Sequence, residues 1–306
     1  MTILFVNQKS ITYSYFFEGE DKMKQIAWIG TGVMGVPMAR HLKNGGYEVK
    51  AYNRRFSKAL QLELDIAACK TIAECVEDAD VIFSIVGYPA DVLEVYQEVF
   101  RHAKQGAIMV DMTTSSPTLA MDLSEQAKNF GFIMLDAPVT GGDVGAKNAT
   151  LSIMVGGEKT VYEMILPMLK LMGKTITYMG AAGSGQHAKL ANQIVIAGNI
   201  AAIAEALIYA ESKGLDLNSM LTVITGGSAS SWQAQINGQK MIVKDYQPGF
   251  FIKHFLKDLK LVMEEKSSLN LEIASKVVSI FETLTRYGYS ENGTQAIIEY
   301  YLQNMM

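Results

Sequence analysis

The chain has 306 residues, long enough for two domains. Hydrophobic residues make up 49% and charged residues 19%, which excludes a disordered chain and supplies enough apolar surface for sizeable cores. The net charge is −4 and no basic stripe is present, which argues against a nucleic-acid surface.

Residues 1–22 lack the charged start, apolar stretch and small-residue cleavage site of a signal peptide. They do not match the pattern that begins at Met23, and are expected to form an extension outside the functional core. QIAWI (25–29) reads as a short apolar strand ending at Gly30. A helical pattern runs from Met34 to Asn44, with Met38 and Leu42 on one face, and Gly45-Gly46 stops it. YEVKAYN (47–53) is a second strand. Cys69 and Cys75 fall in one stretch expected to be helical, and point to a reducing cytoplasm without a disulfide framework. DADVIFSIV (78–86), GAIMVDMT (106–113) and GFIMLDAPV (131–139) are further buried strands, each after a helical segment. This alternation predicts a parallel sheet covered on both faces. LSIMVGG and KTITYMG read as closing strands around a helix that Pro167 interrupts.

After Gly185 the strand pattern ends. Helices are expected over roughly 186–213, 216–226, 231–244, 252–267, 270–287 and 293–303. The fold class is therefore α/β: a doubly wound sheet over 23–185, then an all-α domain over 186–306, joined by a long helix. The apolar run from Leu190 to Ala210 is long enough to span a bilayer. Asn192, Gln193, Asn199 and Glu205 interrupt it and no aromatic belt or basic flank frames it, so a buried core helix is expected and no membrane partner.

IGTGVMG places Gly30, Gly32 and Gly35 in the spacing G-x-G-x-x-G, with Thr31, Val33 and Met34 between them. A strand precedes it and a helix follows, the context in which this loop holds a dinucleotide in a Rossmann-type domain. Gly30 permits the tight turn, Gly32 admits the pyrophosphate, and Gly35 allows close packing of helix on strand. At the end of the second strand a carboxylate would select NAD through the ribose 2′-hydroxyl. Here AYNRRFSK provides Asn53, Arg54 and Arg55 instead, with Ser57 and Lys58 behind them. Asn53 does not repel a 2′-phosphate and a guanidinium grips one as a fork. NADP(H) is favoured and NAD(H) stays open; the alternative is that both arginines only solvate a turn.

Lys189, Asn192 and Gln193 open the long apolar helix at i, i+3 and i+4, so they share a face. Lysine is rarely fully buried unless paired. Burial or nearby positive charge lowers its pKa from about 10.4, and a neutral amine can then act as a base. DAPVTGG (136–142) follows a strand, and offers the Thr140 hydroxyl and the unobstructed backbone N–H groups of Gly141 and Gly142. That set suits the carboxylate of a small acid. Asp136 is expected to order this loop.

Four stretches together resemble the β-hydroxyacid dehydrogenase family: GTGVMGVPMA (30–39), DAPVTGG (136–142), GSGQHAKLANQ (183–193) and FIKHFLKDL (251–259). The family includes 3-hydroxyisobutyrate dehydrogenase, tartronate semialdehyde reductase and the glyoxylate/succinic semialdehyde reductases. The resemblance covers Met23 to about Leu302. It implies hydride transfer between a nicotinamide cofactor and a short 3-hydroxy acid or its semialdehyde, with Lys189 moving the proton. It places Val86, Gly87, Pro89 and Thr114 near the nicotinamide, and Thr140, Gly141, Gly142, Asn192 and Gln193 around the substrate. Lys257 is expected to reach the cofactor or substrate across the cleft, with Phe250 and Asp258 nearby and Lys253 on the same helix. Many relatives carry Asn where this chain has Gln193. His187 and His254 flank the motifs without metal-site spacing. Imine reduction, or cofactor binding without catalysis, are alternatives that Lys189 and the intact DAPVTGG disfavour. The resemblance also implies a homodimer or homotetramer.

Overall fold

The computed structural model describes residues 23–62 and 65–303; the extension expected at 1–22 lies outside them. The first half alternates strand and helix. β1 (Gln25–Ile29), α1 (Gly35–Asn44), β2 (Glu48–Tyr52), α2 (Phe56–Ala59), β3 (Ala67–Cys69) and α3 (Ile72–Val76) form its opening units. β4 (Val81–Ser84), α4 (Pro89–His102), β5 (Ile108–Asp111), α5 (Pro117–Asn129) and β6 (Ile133–Asp136) continue it. β7 (Val139–Thr140), α6 (Gly142–Lys147), β8 (Leu151–Gly156), α7 (Lys159–Lys170) and β9 (Gly173–Gly180) complete it.

The strands join in the order β3-β2-β1-β4-β5-β6-β8-β7, with β9 on β8. From β3 to β6 every pairing is parallel. Their side chains alternate between two cores. Ile26 and Trp28 of β1 join Phe83 and Val110 on one face, while Ala27 and Ile29 join Ile82 and Met109 on the other. Burial on both faces is what the near-continuous apolar strands demand. The strand order reverses between β1 and β4, and ligands of such sheets sit beyond the strand carboxyl ends at that point.

The second half is helical: α8 (Ser184–Ser212), α9 (Leu217–Gly226), α10 (Trp232–Ile242), α11 (Ile252–Glu265), α12 (Glu272–Arg286) and α13 (Ile297–Gln303). α8 is its central element. Ala197, Ile200, Ala204 and Leu207 pack with Phe255, Phe281 and Ile297 in a third core. By length and hydropathy alone α8 passes as a membrane span, but this packing explains its composition.

Four local expectations are corrected. The sheet is mixed, because β8 runs antiparallel to β6 and β7. The 131–139 segment breaks at Ala137-Pro138 into β6 and β7, since proline lacks the N–H that a ladder needs. Cys69 lies on β3 and Cys75 in α3, so the two thiols meet across a strand–helix connection and do not share a helix. Pro167 sits inside α7 without ending it. Val161, Ile165, Met168 and Leu169 bury one face of that helix against the sheet core, which offsets the one lost backbone bond.

Candidate active site

The glycine loop turns out of β1 at the switch point. Gly30 has φ +105°, and a Cβ there would lie 2.1 Å from the Ile85 carbonyl oxygen. A Cβ on Gly35 would lie 1.9 Å from the Gly30 carbonyl oxygen. Both glycines are thus required by the protein's own packing. Gly32 differs: apart from its own chain neighbours, no atom of the described residues lies within 4 Å of its Cβ position. Thr31 is buried and its Oγ1 has no hydrogen-bond partner, while Val33 is exposed beside it. From Met34 the chain enters α1, whose first turn has no side-chain cap and no acidic residue. An open glycine, an unpartnered hydroxyl and an uncapped helix start fit the pyrophosphate of a dinucleotide.

Beyond β2, the Asn53 Oδ1 accepts from the Arg55 amide at 2.9 Å and so holds the turn. The Arg54 guanidinium is 74% exposed and bonds Asp91 Oδ1 at 3.1 Å from one side, through Nη1. Ser57 and Lys58 follow at the start of α2.

Beyond β4 and β5 a buried polar network fixes the next two loops. Ser84 Oγ bonds Tyr96 Oη and Asp111 Oδ1, both at 2.9 Å. The Thr113 amide donates to the same Asp111 oxygen at 3.1 Å. Thr113 Oγ1 accepts from the Val86 amide at 2.9 Å, so the loop carrying Val86, Gly87 and Pro89 is tied to the one carrying Thr114. Burial raises the Asp111 carboxyl to about 6.

The start of α8 is anchored by Asp136 at the end of β6. Its Oδ1 accepts from Gly183 N and its Oδ2 from Gln186 N, each at 2.8 Å. This carboxylate therefore caps α8, where the helix dipole favours negative charge. Burial still pushes its pKa up, against the pull of those amides.

The buried polar residues of α8's first three turns are Gln186, Lys189 and Gln193. Lys189 is 5% exposed, and among the described residues its ammonium forms no hydrogen bond or ion pair. Burial lowers its pKa to about 8, with Lys257 helping and Asp258 opposing. Gln193 was expected to face the substrate, but it is fully buried and donates to Asp258 Oδ2 at 2.7 Å. Asn192 bonds Gln193 Oε1 at 2.9 Å and Thr140 Oγ1 at 3.4 Å. Lys257 reaches across the cleft: its Nζ donates to the Thr114 carbonyl at 2.6 Å and pairs with Asp258 Oδ1 at 2.9 Å. Thr140 leads into Gly141 (φ +129°) and Gly142 (φ +64°), and nothing crowds Gly142. Phe250 is half-buried before α11, edge-on to Phe255, in a chain that passes beside Asp143 of α6. Lys253 turns away to Glu291, and His187 is exposed.

Two groups of residues thus gather beyond the carboxyl ends of the strands. Thr114, Thr140, Lys189, Asn192, Gln193, Lys257 and Asp258 converge. The Asn53–Arg55 turn stands apart, beside the α4 start. No cluster of three or more metal-ligating side chains occurs among the described residues.

A family model for the NAD-binding domain of 6-phosphogluconate dehydrogenase matches residues 25–180. A second, for the NAD-binding domain of NADP-dependent 3-hydroxyisobutyrate dehydrogenase, matches 183–301. A probable mitochondrial 3-hydroxyisobutyrate dehydrogenase-like protein of Arabidopsis thaliana is 41% identical over 282 residues, covering 90% of this chain and 84% of the other. The chain belongs to the β-hydroxyacid dehydrogenase family. The 2-hydroxy-3-oxopropionate reductase of Escherichia coli K12 is 34% identical over 280 residues, 90% of this chain and 96% of that one. The solved structure of Mycobacterium tuberculosis 3-hydroxyisobutyrate dehydrogenase with L-serine superposes with a TM-score of 0.83 at 31% identity, covering 90% of this chain and 98% of that one.

Within this family member, three contributors escaped the motif reading. Gln186 is fully buried, donates to the Thr113 carbonyl at 2.7 Å and accepts from Ser115 N at 2.9 Å. Its signal was present: 186, 189 and 193 stand at i, i+3 and i+7, one helical stripe. Glu265 at the end of α11 takes the Ser116 hydroxyl at 2.8 Å, and the Tyr88 ring packs on His254 with centroids 5.8 Å apart. Neither had a local signal, because each pair joins residues more than a hundred positions apart.

Proposed function

We propose that the protein is an NADP(H)-dependent reductase of short carboxylate-bearing aldehydes of the glyoxylate, succinic semialdehyde or tartronate semialdehyde type. It works reversibly as a β-hydroxyacid dehydrogenase. The observation that carries this reading is Lys189: a buried lysine whose ammonium has no hydrogen bond or ion pair among the described residues, with its pKa lowered to about 8, at the convergence of the substrate loop and the cofactor loops.

The nicotinamide cofactor supplies the hydride in reduction and accepts it in oxidation. Gly30–Gly35 would hold its pyrophosphate, and Val86, Gly87, Pro89, Thr114 and Lys257 its nicotinamide half. Thr140, Gly141 and Gly142 bind the substrate carboxylate, with Asn192 beside the Thr140 hydroxyl and Phe250 closing the far wall. Lys189 Nζ donates a proton to the carbonyl oxygen as it becomes a hydroxyl, and takes it back in the reverse direction. Burial keeps water from competing for that proton. A pKa near 8 lets one amine serve both directions near neutrality.

Asn53, Arg54 and Arg55 carry the cofactor preference. The wild type is expected to turn over NADPH faster than NADH in a spectrophotometric screen of these three aldehydes. Replacing both arginines by alanine should weaken NADPH binding roughly tenfold or more, as loss of a charge-assisted fork does, and leave NADH within about twofold. Equal use of both cofactors by the wild type would sink this assignment.

The remaining side of α8 bears on assembly. Val195 is 61% and Tyr209 64% exposed there, and Ile273 of α12 (65%) sits next to Gly198. An apolar stripe of this kind is read as a contact between copies in a homodimer or homotetramer. Sedimentation equilibrium should give a dimer or larger; a monomer at every concentration excludes it. The two free, buried thiols agree with a cytoplasmic setting.

A further inference from the structure

We infer that Gln193 is a positioning residue, which acts on Lys189 through the Asp258 carboxylate and does not touch the substrate. The inference rests on the reading of Lys189 as proton donor and acceptor. Gln193 has no exposed surface. Protein groups hold both ends of its amide: Nε2 donates to Asp258 Oδ2 at 2.7 Å, and Oε1 accepts from Asn192 Nδ2 at 2.9 Å. The other Asp258 oxygen is taken by the Lys257 ammonium at 2.9 Å. One buried carboxylate is thus divided between an ammonium and an amide, and neither oxygen bonds Lys189. Asn192, only half-buried and 3.4 Å from Thr140 Oγ1, is the amide left facing the substrate loop.

The electrostatics give the sign. Asp258 and Lys257, both on α11, are the charges acting on Lys189. Asp136, on β6, is engaged with the amides at the start of α8. The Gln193 N–H places the positive end of a dipole on Asp258 and holds Oδ2 in place. Without it the potential at Lys189 becomes more negative, and Oδ2 is free to turn toward the ammonium. Both effects hold the proton on Lys189 more tightly. Asparagine is one methylene shorter and does not span the gap to Asp258.

The test uses full-length Gln193→Met and Gln193→Asn beside the wild type. NADPH-driven reduction of glyoxylate, succinic semialdehyde and tartronate semialdehyde is followed from pH 6 to 10. Reduction needs the ammonium, so the alkaline limb of kcat should move up by roughly half a pH unit or more, the scale of one lost hydrogen bond. The ratio of kcat at pH 9 to kcat at pH 7 then rises about threefold. The aldehyde KM stays within about twofold, as expected where no ground-state contact is lost. Damage to the fold does not raise relative activity at high pH. A larger rise in KM overturns the inference, because Gln193 then binds substrate or acts on it through Asn192 rather than on Lys189; so does an unmoved limb. If the methionine variant fails to fold by circular dichroism, the asparagine variant decides alone. The parent reading is judged separately by Lys189→Met. It survives if that variant is inactive while the limbs of the Gln193 variants stay put, and falls if that variant turns over normally.

Discussion

Lys189→Met is expected to lower kcat for aldehyde reduction by about 10²- to 10⁴-fold, the usual contribution of a positioned proton donor. The same substitution should stabilise the protein. Holding the Lys189 pKa near 8, against an ordinary 10.5, means that the folded state disfavours the ammonium. The penalty is on the order of 3 kcal/mol at neutral pH. Methionine occupies the same buried position without a charge. The sign follows from proton linkage: between pH 8 and 10.5 the unfolded chain binds more protons, so wild-type stability rises with pH across that window. The gain in the variant is therefore full below pH 8 and fades toward 10.5. Denaturant melts at pH 7 and pH 10, beside steady-state kinetics, check both halves. A variant that is less stable at pH 7, or active at wild-type rate, contradicts the assignment.

The glycine loop gives a second pair of opposed outcomes. Gly32→Ala should leave the melting temperature within about 1–2 °C of wild type, because beyond its chain neighbours no atom of the described residues lies within 4 Å of the new methyl group. Its dissociation constant for NADPH, measured by fluorescence titration, should rise about tenfold or more, since the methyl takes the space the pyrophosphate needs. Gly35→Ala puts its methyl 1.9 Å from the Gly30 carbonyl oxygen and should cost about 3 kcal/mol or more of stability, through forced movement of α1. If Gly32→Ala binds NADPH as the wild type does, the cradle is misplaced.

The order of elements and the change from alternating strands to helices were legible because hydrophobic periodicity is a local property. The glycine spacing and the helical spacing of Lys189 and Asn192 are local too, each read along a single turn or helix. What the sequence hid is non-local. The ladder direction of β8 depends on how the chain returns after Pro138, which no spacing encodes. The short β3 around Cys69 has too few residues to show a period. The family resemblance and the face shared with Lys189 and Asn192 place Gln193 at the substrate; its bond to Asp258 spans 65 positions and no local pattern carries it. Glu265 reaches Ser116 across 149 positions, and no pattern in either segment announces it.

Asp136 has a consequence for how the two halves are joined. The carboxylate belongs to the last residue of β6, yet it grips the first turn of α8, and a Cβ on Gly185 would lie 2.7 Å from the Asp136 carbonyl oxygen. α8 therefore starts wedged end-on against the sheet, and the sheet sets its rotation about its own axis. Lys189 follows one turn later, so its direction is inherited from the cofactor-binding half although it belongs to the helical one. The halves are not interchangeable modules. A chimera that takes its sheet from one relative and its helices from another would carry every motif, but would aim its lysine correctly only if the grip at the seam came across intact.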